Sequence, residues 1–319
     1  MIKLSELREH YLNGEINKKL YWQIARENYT FVLPQIREVL CDNPEVDEIL
    51  IRKDGVIITK KSGVRIYLDF SQSISRGEAD LILEGDPEKE DIDYIINYLK
   101  NIKSSNSVLD IGANAGVFSL ELICSNDYSK FILFEPIPNT FEWLKRNAYL
   151  NNVDDERFMP FNIGLSDKKG QFEFFVPASN EAASLVENDD AFYRKKANEL
   201  GNYTGDNSID KVVCEVDTVD NVVKSKNINN ISFIKIDVEG NEKFVLLGAK
   251  ETLISEKPLV YCELLRKHSS RFGYHPNEVI DYMDNLGYSC FTLKDGYRKL
   301  VSSINDDTLE TNFFFEVLD

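Results

Sequence analysis

Cysteine is scarce in this chain. Among 319 residues there are five, Cys41, Cys124, Cys214, Cys262 and Cys290. The number is odd, the spacing is wide and no Cys-x-x-Cys pair occurs, which argues against a disulfide framework and against a cysteine-built zinc site. Reduced thiols of a cytoplasmic protein fit this pattern. Positive charge is short as well: 37 Lys and Arg stand against 54 Asp and Glu, a formal net charge of -17. Such a surface lacks the cations that hold a phosphate backbone or an anionic bilayer, so neither nucleic acid nor membrane is expected as a partner. No apolar run approaches the roughly 20 residues of a membrane span. The opening MIKLSELREHYLNGE is too polar for a secretory signal. What is present is core-forming material: 43% hydrophobic residues, with 19 Phe and 15 Tyr.

The patterning divides the chain into three regions. Residues 1–50 read as a helical N-terminal extension, with stripes at Leu4, Leu7 and Tyr11, at Tyr21, Ile24 and Ala25, and at Val32, Ile36 and Val39. Residues 51–106 hold hairpin strands, punctuated by Asp54-Gly55 and Ser62-Gly63, and then an amphipathic helix with Ile92, Ile95, Ile96 and Leu99 inward. Over residues 107–319 short apolar strands alternate with helical stretches. That is the pattern of an α/β fold, a doubly wound and mostly parallel sheet of Rossmann-like type. The last two strands, YSCFTL and FFFEV, have no helix between them and are expected to pair antiparallel at or near one edge. An insertion at about 176–210, between QFEFFVP and VVCEVDTVD, reads as part of a hairpin with a lid-like loop.

The sharpest signal is VLDIGANAG, residues 108–116. A strand ends at Ile111, a tight turn uses Gly112 and Gly116, and a helix begins near Val117, offering free N–H groups to an anionic ligand. A dinucleotide fingerprint wants a third glycine, which is missing, and Asp110 would repel a pyrophosphate. The acid suits instead the ammonium group of a methionine moiety, directly or through water. Glu135 ends the next strand, where a carboxylate accepts bonds from ribose hydroxyls. Together the glycine loop, Asp110 and Glu135 point to S-adenosylmethionine. Asn139 and Glu142 resemble a capping box at the next helix.

These stretches resemble the FkbM family of methyltransferases. The resemblance is carried by VLDIGANAGVFSLEL, FEPIPNTFEWLKRNAYLNN, NIGLSDKKGQFEFF, ISFIKIDVEGNEKFVLLGAKETL and PLVYCEL, and spans roughly residues 50–319. It implies a Rossmann-like fold, S-adenosylmethionine, and methylation of a hydroxyl on a sugar, glycan or other small molecule. By position it implies that Asp110, Gly112, Ala113, Asn114 and Gly116 frame the methionine moiety, and that Glu135 and Pro136 face the ribose. Asn162, Gly164, Ser166 and Asp167 come after the third strand, where such folds hold the adenine. Gly164 replaces the family's common alanine, which should loosen that loop.

Methyl transfer to oxygen requires alignment of the acceptor and removal of its proton. Asp237 and Glu239 sit at the carboxyl end of the fourth strand, IKIDVEG; Glu263 ends the fifth, and His268 comes next on a loop. These four are the candidates for the base. The carboxylates are also possible divalent-metal ligands, a less favoured reading because no His/Asp cluster lies close in sequence. Two other classes compete. A nucleotide-cofactor oxidoreductase or epimerase lacks its third glycine and a Tyr-x-x-x-Lys pair here. A non-catalytic module retaining the fold has no need of the Asp110, Gly112, Gly116 and Glu135 set.

Overall fold

The computed structural model describes residues 4–29, 45–68, 88–102, 104–126, 129–153, 156–177, 183–186 and 209–318. Helices α1 (Leu4–Leu12) and α2 (Lys18–Tyr29) open the chain. The expected stripe at Val32, Ile36 and Val39 lies outside the described residues. A three-stranded antiparallel meander comes next: β1 (Val46–Ile51), β2 (Val56–Lys60) and β3 (Arg65–Leu68). Helix α3 (Lys89–Asn101) buries Ile92, Ile95 and Leu99, the face its spacing specified.

The core is an eight-stranded sheet. Its parallel part comprises β4 (Asn106–Ile111), β5 (Ser129–Phe134), β6 (Phe158–Phe161), β10 (Ile231–Ile236) and β11 (Leu259–Glu263). The antiparallel part comprises β12 (Tyr288–Lys294), β13 (Tyr297–Leu300) and β14 (Asn312–Val317). The spatial order is β13-β12-β14-β11-β10-β4-β5-β6, so β4 is central and the order reverses beside it. Central strands are apolar on both faces because helices cover both. Leu109, Ile111, Ile234 and Ile236 face one layer of core, while Val108, Phe131, Phe233 and Tyr261 face the other.

On the second face lies α4 (Val117–Ser125), whose Phe118 stacks against Phe233 and Tyr261 at 6.4 and 5.8 Å between ring centroids. Helix α5 (Pro138–Leu150) ties the meander to the core: Asn147 accepts the Tyr67 N–H at 2.8 Å and donates to the Ala115 carbonyl at 2.9 Å. The capping box expected at Asn139 and Glu142 is not formed. Ile137 is the N-cap, Pro138 opens the helix, and Glu142 pairs with Lys145 instead. On the first face lie α6 (Val219–Lys226), α7 (Glu242–Leu247), α8 (Lys250–Glu256) and α10 (Asn277–Asn285). Helix α9 (Arg266–Arg271) comes directly after β11.

The expected antiparallel pairing of YSCFTL with FFFEV is present as β12 against β14. Its place differs from a simple edge hairpin. Strand β14 slots between β11 and β12, and the edge is closed by β13, a strand the apolar pattern does not announce. Asp295 and Gly296 turn that hairpin with φ of 52° and 77°, the left-handed pair a two-residue loop demands. A small second sheet, β7 (Gly164–Leu165), β9 (Ile209–Asp217) and β8 (Gly170–Pro177), carries the insertion. Of the expected lid, residues 183–186 are described, and most of the rest lies outside the described residues.

Candidate active site

At the carboxyl ends of β4, β5 and β10 lies a cleft. Open parallel sheets bind ligands there, where the strand order reverses. Its walls include Gly112, Asn114, Glu135, Pro136, Thr140 and Asp237.

The glycine turn is built by backbone. The N–H groups of Gly112 and Ala113 both donate to the Phe134 carbonyl at 3.0 Å. Gly112 has φ of 81°, and a Cβ there would run into the Asp237 carbonyl oxygen. Its bareness therefore serves the close approach of the β4 turn to the end of β10, as well as any approach of a ligand. Gly116 caps α4 with φ of 82°, and Asn114 is left-handed at 50°. Ala113 is buried and lies behind the cleft wall.

Glu135 is almost fully buried at the end of β5, and its carboxylate is held on both sides. Oε2 accepts the Asn114 N–H at 3.0 Å, and Oε1 accepts the Ile137 N–H at 2.8 Å. Burial pushes its carboxyl up to about 7, against the pull of those two N–H groups. Each oxygen keeps a lone pair for a ligand hydroxyl. In the first turn of α5, on the same cleft lining, the Thr140 hydroxyl is buried without a hydrogen-bond partner.

Asp110 is placed differently from the expectation. Along β4 its side chain alternates with those of Leu109 and Ile111, so it points under α4 rather than into the cleft. Oδ2 accepts from the Ser119 hydroxyl at 2.6 Å, and Oδ1 lies 3.8 Å from Lys235 Nζ. Lys235 is its cross-strand partner in the β4–β10 register and reaches Asp237 at 3.0 Å. Burial alone would lower the lysine's pKa, but Asp237 and Asp110 outweigh it and hold the charge. A direct contact from Asp110 to a ligand is not what this geometry offers; its carboxylate joins α4 to β10.

The residues after β6 divide. Asn162 donates to the Glu135 and Pro136 carbonyls at 2.8 and 2.9 Å and so fixes the Glu135 turn from outside. Gly164 lines the cleft in β7, paired with Val216. The expected loosening is absent: a Cβ there would press on Phe174, Val216 and Pro136 at 3.1–3.5 Å. Ser166 is buried beside Asn241 and does not border the cleft, and Asp167 is exposed. Asn241 donates to the Leu165 carbonyl at 3.1 Å and joins this loop to the one after β10.

Of the four candidate bases, Asp237 and Glu239 line the cleft, while His268 and Glu263 stand next to Glu239 outside its lining. Strand β10 ends at Ile236, before Asp237, so Asp237 and Glu239 are loop residues. Glu239 takes φ of 55°, a costly backbone for a non-glycine residue. His268 Nδ1 stands 3.1 Å from Glu239 Oε2 and 4.0 Å from Glu263 Oε2. Burial first, and then Asp237 and Glu239, push the Glu263 carboxyl far above its usual range. His275 is elsewhere: its Nδ1 accepts the Asn277 N–H at the start of α10. Among the described residues no group of three or more His, Cys, Asp or Glu is arranged to hold a metal ion.

The family model of the FkbM methyltransferase domain matches residues 110–290, more than half of the sequence and all of this cleft. The chain belongs to the FkbM methyltransferase family. Relatives are distant. The AMB antimetabolite synthetase AmbE of Pseudomonas aeruginosa is 22% identical over 336 residues, 87% of this chain and 16% of that protein. The methyltransferase sdnD of Sordaria araneosa is 27% identical over 166 residues, 48% of this chain and 64% of that one. The chain thus spans less than two thirds of the length of either. The 2-O-methyltransferase NoeI of Sinorhizobium fredii is 23% identical over 211 residues, 66% of this chain and 79% of that one.

Within this FkbM domain, several site residues escape sequence reasoning. Lys235 is one. Glu242 is another: its Oε1 accepts the Val238 and Gly240 N–H groups at 3.2 and 2.9 Å, and Tyr274 O–H lies 3.0 Å from Oε2. It shapes the loop that presents Asp237 and Glu239, and burial raises its carboxyl to about 7. Ser184 is a third, donating to the Glu239 carbonyl at 3.1 Å while Ala183 and Leu185 wall the cleft. The alternation in IKID is a signal for Lys235, because Lys235 and Asp237 fall on one face with Asp110 opposite. Nothing local marks Ser184. Among the described residues no helix is long and apolar enough to cross a membrane.

Proposed function

We propose that this FkbM-family chain is an S-adenosylmethionine-dependent O-methyltransferase acting on a hydroxyl of a sugar, glycan or other small molecule. The observation that carries the cofactor reading is the Glu135 carboxylate, fixed by two backbone N–H groups at the cleft wall beside the glycine turn. It fits a ribose diol, with one hydroxyl for each oxygen. The partnerless Thr140 hydroxyl offers a further polar contact, and Phe134, Pro136, Phe174 and Leu185 give an apolar wall for a purine. When bound, the cofactor supplies an electrophilic methyl group on a sulfonium.

The chain's own residues would do the rest. Glu135 and the Gly112–Asn114 turn orient, the 183–186 segment excludes water, and the group of Asp237, Glu239, Glu263 and His268 takes a proton from the acceptor. The hydroxyl acceptor is supported by that group and by the similarity to a 2-O-methyltransferase. Thermal shift with S-adenosylhomocysteine, NADH and a nucleotide sugar tests the cofactor class, since a ligand of the folded state alone raises the melting temperature. Stabilisation by S-adenosylhomocysteine is expected. Stabilisation by NADH alone would overturn the reading. A transfer screen against glycans with mass detection then tests the acceptor class.

A further inference from the structure

That group holds a pair whose geometry goes beyond a cluster of acids. Helix α9 packs tightly on the loop after β10, because Gly240 is bare: a Cβ there would press on the His268 carbonyl and the Phe272 ring, 2.8 and 2.7 Å away. That approach sets the His268 ring against Glu239, with Nδ1 3.1 Å from Oε2. Glu239 is itself fixed. Its backbone is left-handed, its carbonyl accepts from Ser184, and the N–H groups on either side of it, those of Val238 and Gly240, are held by Glu242. A carboxylate against Nδ1 favours the tautomer protonated there and leaves the lone pair on Nε2.

We propose that His268 is the general base of the transfer and that Glu239 is the positioning residue that turns Nε2 toward the acceptor hydroxyl. This rests on the methyltransferase reading above. The acceptor proton passes to Nε2. The oxygen's electron pair forms the new bond to the methyl carbon, and the sulfur keeps the pair of the bond that breaks. The imidazolium is held by Glu239 until the proton leaves to solvent. Among the described residues, Glu263 lies 4.0 Å from Nδ1, with Asp237, Glu242 and Lys235 behind it, and Arg266, Lys267 and Arg271 share the ring's helix. Ser184 joins the 183–186 segment to the same loop through the Glu239 carbonyl.

Two measurements on the full chain test this. Nitrogen-15 NMR of the imidazoles, with S-adenosylhomocysteine present, reads the tautomer without any acceptor. His268 is expected as the Nδ1–H form, and Glu239→Gln is expected to mix the tautomers, because the carboxylate that attracts a proton to Nδ1 is gone. Transfer of labelled methyl from S-adenosylmethionine to a pool of methyl glycosides reads the chemistry. His268→Gln is expected to lose about 10²–10⁴-fold of turnover while binding S-adenosylhomocysteine as before. An Nε2–H tautomer in the unmodified chain, or full turnover in His268→Gln, overturns the assignment and leaves the methyltransferase reading standing. An unmodified chain that binds no S-adenosylhomocysteine overturns that reading, and this inference with it.

Discussion

Replacing Glu135 by alanine removes the acceptor of two ligand hydroxyls and frees the Asn114 and Ile137 N–H groups. Calorimetry should show S-adenosylhomocysteine affinity weakened by roughly 1.5–3 kcal/mol, the range for hydrogen bonds to a charged group. Unchanged affinity in a folded variant would remove the ribose assignment. The same carboxyl gives a pH signature. With its pKa raised to about 7, hydroxyl donors favour the ionised form, so affinity should fall as pH drops below 7, by about tenfold per unit. Glu135→Gln should flatten that dependence. Gly112→Ala should fail for a reason internal to the fold. The left-handed backbone alone costs about 1–3 kcal/mol, and the added carbon meets the Asp237 carbonyl. A lower melting temperature without ligand is expected; a variant that melts normally yet fails to bind would show that the turn serves the ligand only. Glu242 predicts a stability profile. Its folded pKa of about 7 exceeds the unfolded 4.5, so between those values the folded chain holds more protons and stability falls as pH rises. The ligand-free chain should melt higher at pH 5.5 than at pH 7.5 as far as Glu242 contributes. Glu242→Gln should shrink that difference, and an equal difference in both chains counts against the assignment.

The segment 183–186 acts as one piece with the cleft. It pairs with Phe175 through backbone bonds of 2.8 and 3.1 Å and with Glu239 through Ser184. Ser184→Ala should therefore speed release of S-adenosylhomocysteine by an amount worth about 0.5–1.5 kcal/mol, read by stopped-flow displacement. An unaltered release rate would mean that the segment does not hold the ligand. Elements are the part of this molecule most open to sequence reading. Continuous apolar runs such as SVLDI and FILF announce buried parallel strands, and the glycine turn announces the start of α4 after β4. Strand β13 escapes because YRKL is polar and exposed along its length, as a short edge strand can be. Asp110 is legible as a site residue but its direction is not, unless the alternation along β4 is set against its closeness to the turn.

Strand order is the feature that no local pattern encodes. The triplet Phe313, Phe314 and Phe315 is fully buried, and its strand lies between β11 and β12. Deleting residues 312–319 should thus unfold the core rather than trim an edge, and circular dichroism should show loss of the cooperative transition. Retention of that transition would mean that β11 and β12 can close on each other. The slot has a consequence for biosynthesis. A growing chain can assemble β4, β5, β10 and β11 while β12 and β13 are still arriving, but until residues 312–317 have left the ribosome β11 presents a bare parallel edge and β12 has lost its neighbour. Two unpaired strand edges then exist at once on an apolar intermediate. Such edges recruit other strands, so nascent chains of this fold should be most in need of chaperones in the short interval before β14 arrives.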